Sequence, residues 1–122
     1  GLLAADECID QAVVFGEGHS FLTALIVPRW DTLRRLVADA GVRIADGDSD
    51  EDLCGHPAVL EVLRKRLAER LADVAGYEQV KKFVVLPRPF TTAADELTVS
   101  LKLRRNVIFA RHRDELDALY HE

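Results

Sequence analysis

One lysine stands out by its setting. The run Glu96-Leu97-Thr98-Val99-Ser100-Leu101-Lys102-Leu103-Arg104-Arg105 opens with turn and hydroxyl residues, sets a single lysine between two leucines, and leads into a helical pattern. In an extended segment Leu101 and Leu103 point to one side and Lys102 to the other. A four-carbon stem ending in a compact ammonium can reach a phosphate or carboxylate from a distance. The chemistry on offer is charge stabilisation of an anion in a cleft. Thr98, Ser100 and Arg105 are the residues placed to support such a loop, and Arg104 and Arg105 read as structural, pairing with acids or fixing the chain. A loop lysine in an arbitrary protein is a solvated surface residue, so the motif has to carry the functional reading.

The other reactive residues form no comparable set. His19, His56, His112 and His121 have no Ser, Cys or Asp partner at a recognisable spacing, so none is assigned acid–base work. The run Asp46-Gly47-Asp48-Ser49-Asp50-Glu51-Asp52 alternates carboxylates, but a calcium loop needs glycine at its sixth position and glutamate at its twelfth. Counted from Asp46, those places hold Glu51 and Pro57. Cys54 and His56 lack further ligands at zinc spacing. No metal site is expected, and the acidic run reads as a solvated loop. Gly16 and Gly18 lack the third glycine and following helix of a dinucleotide fingerprint, so they read as a hairpin turn.

The elements that position the lysine follow from periodicity. Residues 2–10 are expected to be the tail of a helix, with Leu2, Leu3 and Ile9 as its apolar members. Gln11 to Gly16 is short, β-branched and aromatic, hence a strand. Phe21 to Val27 is a second strand, apolar throughout and so buried on both faces, closed by Pro28. Leu33, Leu36, Val37 and Ala40 recur at helical spacing from Trp30, with Gly41 as the cap. Pro57 opens the longest helix, whose stripe of Leu60, Leu63, Leu67, Leu71 and Val74 runs to about Ala75, where Gly76 ends it. Glu61 and Lys65 form an i, i+4 pair on its other face. Lys82 to Pro87 is the third strand, and Arg88-Pro89-Phe90 cannot be helical. Phe109, His112, Leu116 and Leu119 mark one face of a final helix. The expected fold is a small α/β (α+β) sandwich, a sheet of about three strands with helices packed against it, in the order ββ-α-α-β-α.

A chain of 122 residues supports one compact domain with a core of its own. Its net charge of −5 argues against a nucleic-acid module, whose footprint is basic. The charge is uneven: the acidic run lies at Asp46–Asp52, while Lys102 to Arg113 carries five basic side chains and no acid. No apolar run approaches the roughly 20 residues of a membrane span, and no basic-then-apolar secretory signal stands at the start. Cys8 and Cys54 are far apart and without a CxxC partner, so two reduced thiols are expected.

The lysine run resembles the C-terminal lysine motif of adenylate-forming acyl-CoA synthetases, in the variant of the long-chain fatty acid group. Its usual form there is of the type Glu-Leu-Thr-Pro-Thr-Leu-Lys-Leu-Lys-Arg. Leu22-Thr23-Ala24-Leu25-Ile26-Val27-Pro28 and Tyr77-Glu78-Gln79-Val80-Lys81-Lys82-Phe83 match the family further upstream, in the family's order. Val99 stands where that group often has proline; Leu101 stands where most adenylating enzymes have glycine, but leucine there is the habit of the long-chain group and supports the resemblance to it.

The resemblance implies that residues 1–122 are the mobile C-terminal lid domain of a longer ligase. The absence of methionine agrees with a piece of a larger protein. The large ATP- and acyl-binding domain and the hinge would then lie before residue 1. The implied reaction joins a fatty acid to coenzyme A at the expense of ATP, giving acyl-CoA, AMP and pyrophosphate. Lys102 is the implied catalytic residue, contacting ATP and the acyl-adenylate. Tyr77, Lys81 and Lys82 are implied candidates for the coenzyme A side, against the plainer reading of solvated lysines at a helix-to-strand junction.

ATP with Mg2+ and coenzyme A are the implied substrates of the full-length enzyme, and the piece alone is expected to bind none and to be inactive. The implied partners are the large N-terminal adenylation domain of the same polypeptide and the fatty acid, with no nucleic acid and no transmembrane segment. The implied location is cytoplasmic, with peripheral membrane association left open. Two alternatives stand beside this. One is a free-standing α/β module binding an acidic partner through its basic C-terminal helix. The other is an adenylating enzyme that does not use coenzyme A.

Overall fold

A computed structural model describes residues 3–45, 47–74 and 79–121. Strand β1 (Ile9–Phe15) runs antiparallel to β2 (Leu22–Pro28), and β3 (Val80–Val85) lies on the other side of β2, parallel to it. The mixed sheet therefore has the order β1-β2-β3, with β2 in the middle. The β1–β2 turn uses Gly16 and Gly18 at φ +116° and +87°, a backbone region that glycine enters without a Cβ clash. Between β2 and β3 come helices α1 (Trp30–Asp39), α2 (Asp50–Leu53) and α3 (Pro57–Arg70); after β3 come α4 (Arg105–Arg111) and α5 (Arg113–Ala118).

β2 is apolar at nearly every position because both of its faces are covered. Ala24 and Ile26 face a core built with Leu33 and Val37 of α1, Val59, Leu63 and Leu67 of α3, and Val85. Leu25 and Val27, one residue out of phase, face a second core with Val13 and Phe15 of β1, Phe90, Ile108 of α4 and Leu116 of α5. The second core is the one on which the lysine loop sits.

Sequence periodicity held for the sheet, for α1 and for most of α3, and failed at element ends and in the acidic run. The expected helical tail over residues 2–10 is instead a single 3-10 turn, Leu3–Ala5, and β1 has begun by Ile9. Asp6 explains the break. Its buried carboxylate accepts hydrogen bonds from the backbone N of Cys8 at 2.9 Å, from Arg66 Nε at 2.7 Å and from Arg70 Nε at 3.0 Å. Leu2 lies outside the described residues.

The acidic run is not wholly loop. Ser49 caps α2, its hydroxyl accepting from the N of Asp52 at 3.1 Å while the Asp52 carboxylate accepts from the N of Ser49 at 3.0 Å. Those hydrogen bonds hold the Asp52 carboxyl below its ordinary range. α3 stops at Arg70, short of Ala75, and beyond it Gln79 donates its amide to the carbonyls of Leu71 and Val74 at 2.6 and 3.2 Å. Ala75 and Gly76 lie outside the described residues. Glu61 makes its direct ion pair with Arg64 at 2.6 Å, while Lys65 acts on it through its charge without such a contact. β3 begins at Val80 and ends at Val85, two residues earlier at each end than expected. The final helix is split at His112, which closes α4 and opens α5, its Nδ1 lying 2.9 Å from Glu115 Oε1.

Candidate functional site

The lysine loop is built up from Phe90. Phe90 is buried in the second core, and Gln11 of β1 clamps its backbone from both sides: Phe90 N donates to Gln11 Oε1 at 2.6 Å, and Gln11 Nε2 donates to the Phe90 carbonyl at 3.2 Å. The carbonyl of Thr91 then accepts from the N atoms of Glu96 and Leu97 at 3.0 and 3.2 Å, folding residues 91–96 into a tight platform. Two arginines fasten it from outside: Arg104 to the Asp95 carboxylate, and Arg111 to the carbonyl of Ala94, 3.7 Å from Glu96.

From the platform rises a short hairpin. Arg104 N donates to the carbonyl of Glu96 at 2.8 Å, Leu97 bridges Leu103, and Thr98 N donates to the carbonyl of Lys102 at 2.8 Å. A β-turn over Thr98–Leu101 closes it, Leu101 N donating to the carbonyl of Thr98 at 2.8 Å. The Thr98 hydroxyl accepts from Lys102 N at 3.0 Å and lies 3.2 Å from the hydroxyl of Ser100. The lysine's own backbone is thus held by Thr98 twice, through carbonyl and hydroxyl.

The segment is not extended as its pattern suggested. Leu101 has φ +63°, in the left-handed region, because it closes the turn. Leu101 and Leu103 therefore do not share a side: Leu103 packs against the second core, while Leu101 is 69% exposed. Val99, at the apex, is 99% exposed. These two exposed side chains are the feature that sequence reasoning missed. The available signal was a leucine where related motifs carry glycine.

Arg105 fixes the foot of the loop to the sheet edge. Its guanidinium donates to the carbonyl of Val14 in β1, sits 5.0 Å over the ring of Phe15, and lies 3.9 Å from Glu17. Arg113 lies 5.5 Å over Phe109. Arg104, Arg105, Arg111 and Arg113 are all engaged inside the domain. Among the described residues Lys102 is exposed and makes no ion pair.

Lys81 and Lys82 sit on β3, the edge strand opposite β1, away from the foot of the lysine loop. Lys81 is exposed, and Lys82 is half-buried with its Nζ 5.8 Å from the centre of the Phe21 ring. Tyr77 lies outside the described residues. Cys8 and Cys54 are both free thiols, pushed up to about 12 and about 11 respectively, each chiefly by burial and then by neighbouring carboxylates. His56 caps α3, its Nδ1 accepting from Ala58 N at 3.1 Å, and His19 stacks on Tyr120 at 4.1 Å. Among the described residues no group of three His, Cys, Asp or Glu side chains is placed to hold a metal ion, and no helix is long and apolar enough to cross a membrane.

This architecture has known counterparts. The chain superposes on the adenylation domain of a carboxylate reductase from Mycobacterium chelonae with a TM-score of 0.77, at 24% identity, covering 99% of this chain and 17% of that one. It also superposes on the A domain of a carboxylic acid reductase from Segniliparus rugosus, solved with AMP and a co-purified carboxylic acid, with a TM-score of 0.73 at 26% identity. The fold is that of the C-terminal domain of adenylate-forming enzymes.

In sequence, the chain is 31% identical over 98% of its length to a putative fatty-acid–CoA ligase of Mycobacterium tuberculosis, of which it spans 20%. It is 33% identical over 90% of its length to long-chain-fatty-acid–CoA ligase 5 of Mus musculus, of which it spans 16%. No family model matches the chain. Over most of its length the chain is thus similar to fatty-acid–CoA ligases, and it shares its fold with the adenylation domains above. The chain spans about a fifth of these relatives' length or less.

Proposed function

We propose that this chain is the mobile C-terminal domain of an ATP-dependent fatty acid–CoA ligase, and that Lys102 is the cation it brings to the adenylation step. The observation that carries the reading is the contrast among its basic residues. Four arginines around the loop are spent on the fold, whereas Lys102 stands exposed at the shoulder of a turn. That same contrast disfavours a basic helix offered to an acidic partner.

In the adenylation step a carboxylate oxygen of the fatty acid attacks the α-phosphorus of ATP. A new P–O bond forms, the bond to the bridging oxygen breaks, and pyrophosphate leaves. Two anions must approach, and charge builds on the α-phosphate oxygens. An ammonium placed over both lowers that repulsion in a water-poor site, an effect of about 3–4 kcal/mol for a single well-placed group. Coenzyme A sulfur then attacks the acyl carbonyl and AMP departs. In this reading the domain rotates about a hinge between the two steps, so Lys102 serves the first and withdraws for the second.

ATP, Mg2+ and coenzyme A are substrates of the whole enzyme. The described residues offer no carboxylate cluster for Mg2+, so the larger domain would hold the metal and nucleotide phosphates. Lys81 and Lys82 remain the coenzyme A-side candidates, as does Tyr77. The location that fits this reading is cytoplasmic.

The test is Lys102→Ala in the full-length protein, with the half-reactions assayed separately. Pyrophosphate release from ATP and fatty acid should fall by about 10²–10³-fold, while thioester formation from preformed acyl-adenylate and coenzyme A stays within a few-fold. Equal losses in both assays would mean a folding role, and no loss would remove Lys102 from the chemistry.

A further inference from the structure

Val99 and Leu101 are the exposed large apolar side chains among the described residues, and they stand two positions apart on the loop that carries Lys102. Isolated apolar residues on a surface need no explanation, but Leu101 carries a second peculiarity. At φ +63° it occupies a conformation that glycine takes freely and a γ-branched side chain takes at a cost. The left-handed turn also aims the side chain away from the core that holds its neighbour Leu103. A strained backbone that displays a leucine to solvent is an arrangement that stability alone disfavours.

Within the reading of Lys102 given above, we infer that Val99 and Leu101 are docking anchors that seat the lysine loop against an apolar lip of the larger N-terminal domain in the adenylation arrangement. The occupant follows from reach. Consecutive Cα atoms are 3.8 Å apart, so Val99 lies within about 11 Å of chain from Lys102 and Leu101 is its immediate neighbour. If the ammonium enters the adenylation cleft, these two side chains must meet the cleft's rim. Leucine keeps the turn that glycine would permit and adds a buried contact formed only when the domains close. Both residues are positioning residues; neither touches the reacting atoms.

The variants are Leu101→Gly, which suits the backbone and deletes the anchor, and Val99→Thr, which keeps the shape and adds a hydroxyl. Both are made in the full-length protein alongside Lys102→Ala. Full burial of a leucine or valine shifts an equilibrium by about one to two powers of ten. Each variant should therefore slow pyrophosphate release about tenfold at subsaturating substrate, and the pair more. Thioester formation from preformed acyl-adenylate should stay within a few-fold. The unfolding midpoint of Leu101→Gly should stay level or rise, since relief of the turn opposes glycine's greater freedom when unfolded.

A lower midpoint with equal losses in both half-reactions would make Leu101 a fold residue and overturn the inference. So would unchanged pyrophosphate release when Lys102→Ala is impaired, which leaves the lysine reading standing. If Lys102→Ala is itself silent, the lysine reading fails first. Co-sedimentation of the wild type with phosphatidylcholine–phosphatidylserine vesicles, lost in both variants while pyrophosphate release is kept, would assign the tip to a membrane and overturn the inference.

Discussion

Replacing Asp6 with asparagine removes a buried charge and keeps its shape. The wild-type carboxylate side chain is 2% exposed, and it holds three donors from parts of the chain up to 64 residues apart: Cys8 N, Arg66 and Arg70. Burial alone would raise its pKa, but the hydrogen bonds from Arg66, from Cys8 and from Arg70 outweigh burial and hold it well below the usual carboxylate range. Breaking a fully buried pair is worth about 3–5 kcal/mol. Arg66 and Arg70 are 22% and 43% exposed, so water takes over part of their charge, and about 2–3 kcal/mol is expected here. With an unfolding entropy of about 2.1 cal/mol/K per residue over 122 residues, each kcal/mol shifts Tm by roughly 4 °C. Asp6→Asn should therefore lower Tm by roughly 8–12 °C at pH 7.

The pH dependence gives a second readout of the same substitution. A carboxyl with a depressed folded pKa contributes in full above its unfolded value of about 3.9, and the contribution fades as pH falls below it. The gap between wild type and Asp6→Asn, followed by circular dichroism melts, should be constant from pH 5 to 7 and narrow steadily below about pH 4. A gap under 2 °C at pH 7, or one that does not narrow in acid, would refute the reading that Asp6 ties the turn before β1 to Arg66 and Arg70 of α3.

Two further outcomes follow from the geometry. Gly16→Ala would place a Cβ 2.9 Å from the carbonyl of Phe21 and against the Tyr120 hydroxyl, at a φ of +116°, so it should destabilise by about 2–3 kcal/mol, read as a fall in Tm of roughly 10 °C. The thiols of Cys8 and Cys54, pushed up to about 12 and about 11, should resist iodoacetamide at pH 8 in the folded chain and react promptly in denaturant, as intact mass would show. Rapid labelling of Cys8 in the native chain would mean that β1 opens readily.

Local pattern reached the parts of this protein whose cause is local. The all-apolar run ending in Pro28 announces a strand covered on both faces, the Leu33–Val37 spacing announces α1, and Pro57 announces the start of α3. The lysine run was legible too, since a hydroxyl-rich turn before one lysine is written in ten consecutive residues. Pairings between distant residues were not legible. Nothing near Asp6 signals Arg66 and Arg70, yet their guanidiniums decide that the chain leaves a helical turn and enters β1. Nothing near Arg105 signals the Val14 carbonyl that holds the foot of the loop.

The same division runs through the lysine loop. Sequence by itself determined that a lysine is presented there and that its neighbours are apolar. Tertiary structure decided which way they face, because the Leu97–Leu103 bridge and the Thr98–Leu101 turn fix a left-handed Leu101 that a period of two cannot encode. Side-chain periodicity reports which face of a regular element is buried. Where the backbone leaves regular structure, direction is set by hydrogen bonds that only the folded chain brings together.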